Sequence, residues 1–233
     1  MNKIPIGDRL IFALDTATAD QARTLVKSLA DTINFYKLGL ELLASGDYFV
    51  LAEELLEQGK KVFLDLKLFD VPRTVATAVK GLHRFGDSFV TIHGNDAMLK
   101  AANDEKGDLK ILAVTALTSL DQRDIDTLGF KCDVQQLVLA RAQCALAVGC
   151  DGVVASGLEA SSIKQTMGSK MLIVTPGIRP IVNTDDQKRT VDLKSAFNNG
   201  ADYIVVGRPI REASSPPDAA AQMQAQISKI FNT

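Results

Sequence analysis

The sequence predicts an α/β chain folded as a single (β/α)₈ TIM barrel, one catalytic domain over residues 1–233. Three observations predict it. Eight short apolar runs recur along the chain, segments of helical period separate them, and charged residues gather where the runs end. Alternating strand and helix patterns build parallel sheets, and eight such units close into a barrel.

The runs are Leu10–Leu14, Ile33–Leu38, Lys61–Leu66, Ser88–His93, Lys110–Thr115, Gly152–Ala155, Met171–Thr175 and Tyr203–Val206. Several lack polar alternation, as in Tyr203-Ile204-Val205-Val206. Strands buried on both faces read this way, which is the situation in a parallel sheet. Between them, Ala19–Ala30, Tyr48–Leu56 and Val134–Val148 carry apolar residues at three- and four-residue steps, the period of a one-sided helix. Gly59, Gly86, Gly149 and Gly200 stand where helices should stop before the next strand. The alternative, a doubly wound open sheet, often has a Gly-rich turn after its first strand. Here that strand runs into Asp15-Thr16-Ala17-Thr18, with no GxGxxG. Two connections are long: Leu117–Lys131, with room for a short helix, and the polar Pro176–Arg189. In a barrel, loops that follow strands form the catalytic face.

Composition narrows the function. With 46% hydrophobic and 23% charged residues the chain is ordinarily globular, and 233 residues suit one barrel. A net charge of −2 gives no reason to expect nucleic acid or an anionic membrane as partner. No apolar run reaches the roughly 18–20 residues that span a bilayer, and Met1–Asp8 lacks a signal-peptide layout. Cys132, Cys144 and Cys150 form no CxxC pair, so reduced thiols in a cytoplasmic protein are expected.

The polar residues at the strand ends carry the chemistry. Asp15, Lys37, Asp65-Leu66-Lys67, His93, Thr115 with Thr118, Pro176 with Arg179, and Gly207-Arg208 all fall there. Charges converging on one barrel mouth are costly unless they pair or meet a ligand. Asp65 and Lys67 are two apart and so share a strand face. They read either as a buried salt bridge that fixes register or as part of a site. Asp70, just before Val71-Pro72, reads as a helix cap or as a member of the same site. Lys37 and Asp15 on neighbouring strands favour the site, because buried ion pairs barely break even as stabilisers.

A second group is Thr175-Pro176-Gly177-Ile178-Arg179, then Gln187, then Gly207-Arg208. Loops after strands seven and eight commonly grip phosphate in barrels. Gly207 admits an anion to backbone N–H groups, and Arg179 and Arg208 supply bidentate charge. A plain Pro-Gly turn with solvated arginines is the bland alternative for either piece alone. His93 reads as a structural residue. With His83 the only other histidine, there is no His cluster for a metal. No pyridoxal, thiamine, metal, P-loop or Ser-His-Asp motif is visible.

Asp65-Leu66-Lys67-Leu68-Phe69-Asp70-Val71-Pro72 resembles the DxKxxD signature of the orotidine 5′-monophosphate decarboxylase suprafamily. The other landmarks follow in order: Asp15, Lys37, Ala116-Leu117-Thr118-Ser119, Thr175-Pro176-Gly177-Ile178-Arg179 and Val206-Gly207-Arg208-Pro209-Ile210. The resemblance covers essentially the whole chain and is strongest to the bacterial members. It implies a cofactor-free homodimer that converts orotidine 5′-monophosphate to uridine 5′-monophosphate and CO₂, the last step of de novo pyrimidine nucleotide synthesis. Lys37, Asp65, Lys67 and Asp70 would form an alternating charge network, with Asp70 and Thr74 reaching into the neighbouring subunit's site. Asp15 and Lys37 would bind ribose hydroxyls, Thr118 would read the pyrimidine edge, and Pro176 would pack near the base. Arg179, Gln187, Gly207 and Arg208 would hold phosphate.

These residue types suit that chemistry. Loss of CO₂ from C6 of orotate leaves negative charge on carbon with little resonance help. Without an electron-sink cofactor the protein must supply a preorganised cation. Lys67 is the candidate, kept charged and aimed by Asp65 and Asp70. A magnesium-dependent sugar-phosphate decarboxylase or synthase of the same suprafamily would, by resemblance, carry Glu where this chain has Lys37. A Schiff-base aldolase needs an uncharged Lys67, which flanking carboxylates oppose. A catalytically silent nucleotide-phosphate binder predicts a damaged charge network, and this one is complete.

Overall fold

The computed structural model describes residues 4–179 and 188–232. Eight parallel strands close a barrel in sequence order. They are β1 (Leu10–Ala13), β2 (Phe35–Leu38), β3 (Lys61–Leu68), β4 (Phe89–Ile92), β5 (Lys110–Val114), β6 (Gly152–Val154), β7 (Leu172–Thr175) and β8 (Tyr203–Val206). The helices that wrap them begin with α1 (Ala19–Leu29), α2 (Leu40–Leu43), α3 (Tyr48–Glu57), α4 (Pro72–Gly81) and α5 (Asp96–Asp104). They continue with α6 (Gln122–Thr127), α7 (Val134–Ala147), α8 (Ala160–Met167), α9 (Leu193–Asn198), α10 (Arg208–Arg211) and α11 (Pro216–Phe231). Every expected strand is present, and α6 is the short helix for which the long loop after β5 had room.

Local chemistry explains the helix ends. Asp121 and Asp133 each form a capping box at the start of α6 and α7, which satisfies N–H groups the first turn leaves unpaired. Pro72 opens α4, where its missing N–H costs nothing. After α7 and α9, Gly149 and Gly200 take φ of 87° and 101°, a region that side chains with a Cβ disfavour. Among the described residues no helix is long and apolar enough to cross a membrane.

Strand alternation divides the core into two shells. Leu10, Phe12 and Leu14 point outward beneath the helices. Ile11 and Ala13 point into the barrel with Phe35, Phe63, Phe89, Leu112 and Tyr203. Phe89 makes edge contacts with Phe35, Phe63 and Tyr203 at centroid distances of 5.0, 5.9 and 5.3 Å. This aromatic layer fills the barrel floor. Two residues along β2, β3 and β4, the inward positions change character. Phe35, Phe63 and Phe89 are followed by Lys37, Asp65 and Thr91, all buried. The apolar floor thus pushes the polar groups to the C-terminal mouth.

Candidate active site

A cavity of about 640 Å³ opens at that mouth. Asp15, Lys37, Asp65 and Lys67 line one side, Thr118 and Ser119 another, and Pro176, Arg179, Gly207 and Arg208 a third. Of the twelve residues named from the sequence, nine therefore meet in one cavity. Asp70 and Thr74 do not line it. Both are exposed, at the end of β3 and in α4. Gln187 lies outside the described residues.

The charges alternate in a chain of short contacts. Lys37 Nζ lies 3.1 Å from Asp15 Oδ1 and 3.3 Å from Asp65 Oδ2, and Lys67 Nζ lies 2.8 Å from Asp65 Oδ1. Burial pushes the Asp65 carboxyl up. The ammonium groups of Lys37 and Lys67, with hydrogen bonds from Lys67 and Thr91, outweigh burial and hold it below its ordinary value. Burial likewise disfavours the Lys37 cation, and Asp65 and Asp15 overcome that and raise it. At neutral pH the two groups are charged and mutually compensated.

Lys67 reaches Asp65 by a route that simple alternation does not give. Leu64 pairs with Val90 and Leu68 with Ile92, so three residues of β3 face one of β4. Such a bulge re-aims a side chain. Lys67 takes φ of 48°, a left-handed conformation that costs a non-glycine residue roughly 1–3 kcal/mol. Its N–H donates to Thr91 Oγ1 at 2.9 Å, which replaces the ladder bond lost in the bulge. The expectation that Asp65 and Lys67 meet holds; the regular pleat offered as the reason does not.

Asp70 does not act as a helix cap, the alternative reading of its position before Val71-Pro72. Val71 occupies that position of α4 with no side-chain cap bond, and Asp70 Oδ1 instead accepts from Val71 N at 2.6 Å. Its carboxylate stands in an exposed strip with Phe69 and Val71, which are 66% and 60% exposed. His93 packs edge-on against Phe69 at 5.7 Å, and burial, then nearby Arg141 and Lys67, disfavour its charged form.

Several contributors went unread in the sequence. Arg211 lines the cavity and donates through Nη1 to the Asp15 carbonyl. It stands three residues after Arg208 on α10, a spacing that places both on one side. Gly39 has backbone any residue could adopt, but an added Cβ would lie 3.0 Å from both Asp15 Oδ1 and Lys37 Nζ. A side chain there would press on the charge chain. Arg189, at the end of the loop after β7, is buried against Glu159 at 2.6 Å. It also donates to the carbonyls of Ala116 and Leu117, while Lys188 N and Arg189 N both donate to Thr118 O at 3.1 Å. The loops after β5, β6 and β7 are thereby held together. A lone Arg inside a polar loop gives no sequence signal of this, because its partners lie 30 and about 70 residues away.

Comparison with known proteins agrees with this geometry. The family model described as "Orotidine 5'-phosphate decarboxylase / HUMPS family" matches residues 8–223. An orotidine 5′-phosphate decarboxylase of Methylococcus capsulatus is 58% identical over 98% of this chain and 95% of its own length. One of Xanthomonas axonopodis pv. citri is 49% identical over 94% and 92%. The crystal structure of the Lactobacillus acidophilus orotidine 5′-phosphate decarboxylase superposes with a TM-score of 0.81 at 35% identity, covering 97% of this chain and all of that one. A barrel with this charge chain at its mouth, matched from end to end by relatives at such identities, belongs to the orotidine 5′-phosphate decarboxylase / HUMPS family.

Proposed function

We infer that this chain, as one catalytic domain over residues 1–233, decarboxylates orotidine 5′-monophosphate to uridine 5′-monophosphate and CO₂, the closing step of pyrimidine nucleotide synthesis. The observation that carries the reading is the Lys67 ammonium held 2.8 Å from Asp65 in a cavity whose other rim bears Arg179 and Arg208.

The phosphate is held by Arg179, Arg208, the backbone at Gly207, and Gln187. Charge-assisted bonds of this kind anchor one end of the nucleotide. Thr118 reads the pyrimidine edge, Pro176 packs near the base, and Asp15 and Lys37 take the ribose hydroxyls. The C6 carboxylate then faces the Asp65–Lys67 pair. The C6–carboxylate bond breaks, CO₂ departs, and the bonding pair stays on C6. The Lys67 cation stabilises that charge as it develops. An Nζ proton then passes to C6 to form the C–H bond, and solvent restores the ammonium. Asp65 also repels the departing carboxylate, by roughly 4 kcal/mol for charges about 4 Å apart at an effective dielectric near 20. The Lys67 contribution is the larger, because it acts on charge present only in the transition state.

The chain works as a homodimer in which Asp70 and Thr74 complete the partner's site. Supporting this, both are exposed in the segment that carries the exposed apolar residues Phe69 and Val71. A second copy covering that segment would remove its apolar area from water. The three free cysteines fit a cytoplasmic setting.

The magnesium-dependent alternative is disfavoured by Lys37. Its ammonium sits between Asp15 and Asp65, where a divalent ion bridging those carboxylates would meet like charge. Turnover in the presence of a strong chelator tests the reading. Loss of orotate-ring absorbance from orotidine 5′-monophosphate, at an unchanged rate with chelator, is the expected result. Binding of the nucleotide without turnover would indicate a silent binding protein instead.

A further inference from the structure

Thr91 sits on β4 with no exposed surface, within a run, Phe89-Val90-Thr91-Ile92, that otherwise reads as plain core. Its hydroxyl has one proton and accepting lone pairs, and the structure uses both capacities. Oγ1 donates to Asp65 Oδ1 at 2.9 Å and accepts from Lys67 N at 2.9 Å. The same Asp65 oxygen receives the Lys67 ammonium at 2.8 Å, while the other oxygen faces Lys37. One buried hydroxyl therefore fixes the rotation of the carboxylate and the backbone of the lysine it holds. Thr91 is also the residue that β3 bulges around, because Leu64 and Leu68 pair with its two neighbours Val90 and Ile92. The left-handed Lys67 backbone has a hydrogen-bond partner at that point because Thr91 supplies one.

We propose that Thr91 is a positioning residue for the reaction: its hydroxyl sets the aim of Lys67 and selects which Asp65 oxygen receives the ammonium. The proposal deepens the decarboxylase reading and rests on it for its kinetic consequence, but not for its structural one. A residue serving only to fill the barrel would depend on shape. A residue serving this role depends on the hydroxyl, whatever its shape.

Two pairs of side chains isolate that hydroxyl. Thr against Thr91→Val keeps the branched shape, and Thr91→Ser against Thr91→Ala lacks the methyl in both members. Misplacing a reacting group by about 1 Å costs on the order of 100-fold. Each hydroxyl-free member should therefore lose roughly 10- to 100-fold in kcat against its hydroxyl-bearing mate. The KM for orotidine 5′-monophosphate and the Kd for uridine 5′-monophosphate should change little, since the phosphate and base contacts lie elsewhere. If Thr91→Val fails to fold, the Ser and Ala pair decides alone. Equal kcat within a pair, or a loss confined to KM, would overturn the proposal. Crystal structures of the Ser and Ala variants decide the same point without turnover. Ser should keep Lys67 at positive φ with Nζ on Asp65 Oδ1, and Ala should release one or both. An unmoved Asp65–Lys67 pair in Thr91→Ala would also overturn it. Absence of wild-type turnover would count against the decarboxylase reading, and the structural comparison would still judge Thr91.

Discussion

Lys67→Ala is expected to lose roughly 10⁴-fold or more in kcat while binding uridine 5′-monophosphate within about tenfold of the parent chain. Removing a preorganised stabilising group typically costs 10²–10³-fold, and removing a general acid about 10²–10⁴-fold. Here one side chain has both duties. The fold should survive, because Asp65 keeps Lys37 at 3.3 Å and the Thr91 hydroxyl at 2.9 Å as partners. Binding should survive because Arg179, Arg208 and Thr118 lie on other strands' loops. Single-turnover kinetics with a calorimetric titration of the product separates the two quantities. A rate within tenfold of the parent would refute the assigned role.

The second large effect concerns subunit exchange. Lys67→Ala and Asp70→Ala should each be nearly inactive alone. Mixed, they should regain activity if Asp70 serves the partner's site. A heterodimer then has one site with both native residues and one with neither. For random pairing in a symmetric dimer, half the dimers are mixed, and recovery should approach about one quarter of the parent activity. The family resemblance implies this arrangement, and the exposure of Asp70 next to Phe69 and Val71 supports it. No recovery, with heterodimers demonstrated by tagged copurification, would count against sites shared between subunits.

The barrel was legible because burial on both strand faces leaves few polar residues to blur the runs. Tyr203–Val206 is identical in the sequence reading and the structure. Boundaries elsewhere moved by one or two residues, as at Leu14 and His93, which fall just outside their strands although their N–H groups still donate to Lys37 O and Leu68 O at 2.9 Å. The clearest departure is β3, which runs two residues further than its apolar pattern, to Leu68. That extension exists because β4 pairs again beyond the bulge, a tertiary fact with no periodic signature. The charges at the mouth were legible since a charge at the end of an apolar strand is costly and conspicuous. Thr91 was not, because a single hydroxyl in an apolar run looks like core until its partners are known. Arg189 and Glu159 were not, because the loops that bring them together meet only in the closed barrel. Gly39 was not, because its requirement comes from the Asp15 and Lys37 side chains folded over it rather than from an unusual φ.

The central claim is that the Lys67 ammonium faces the carbon that loses CO₂. A crystal structure with a uridine 5′-phosphate analogue carrying an anionic substituent at C6 measures this directly. The account predicts Nζ within hydrogen-bonding reach of that substituent, about 3 Å, with Asp65 still in contact with the lysine. An amine turned out of the cavity, or a nucleotide seated with C6 away from the third strand, would contradict it.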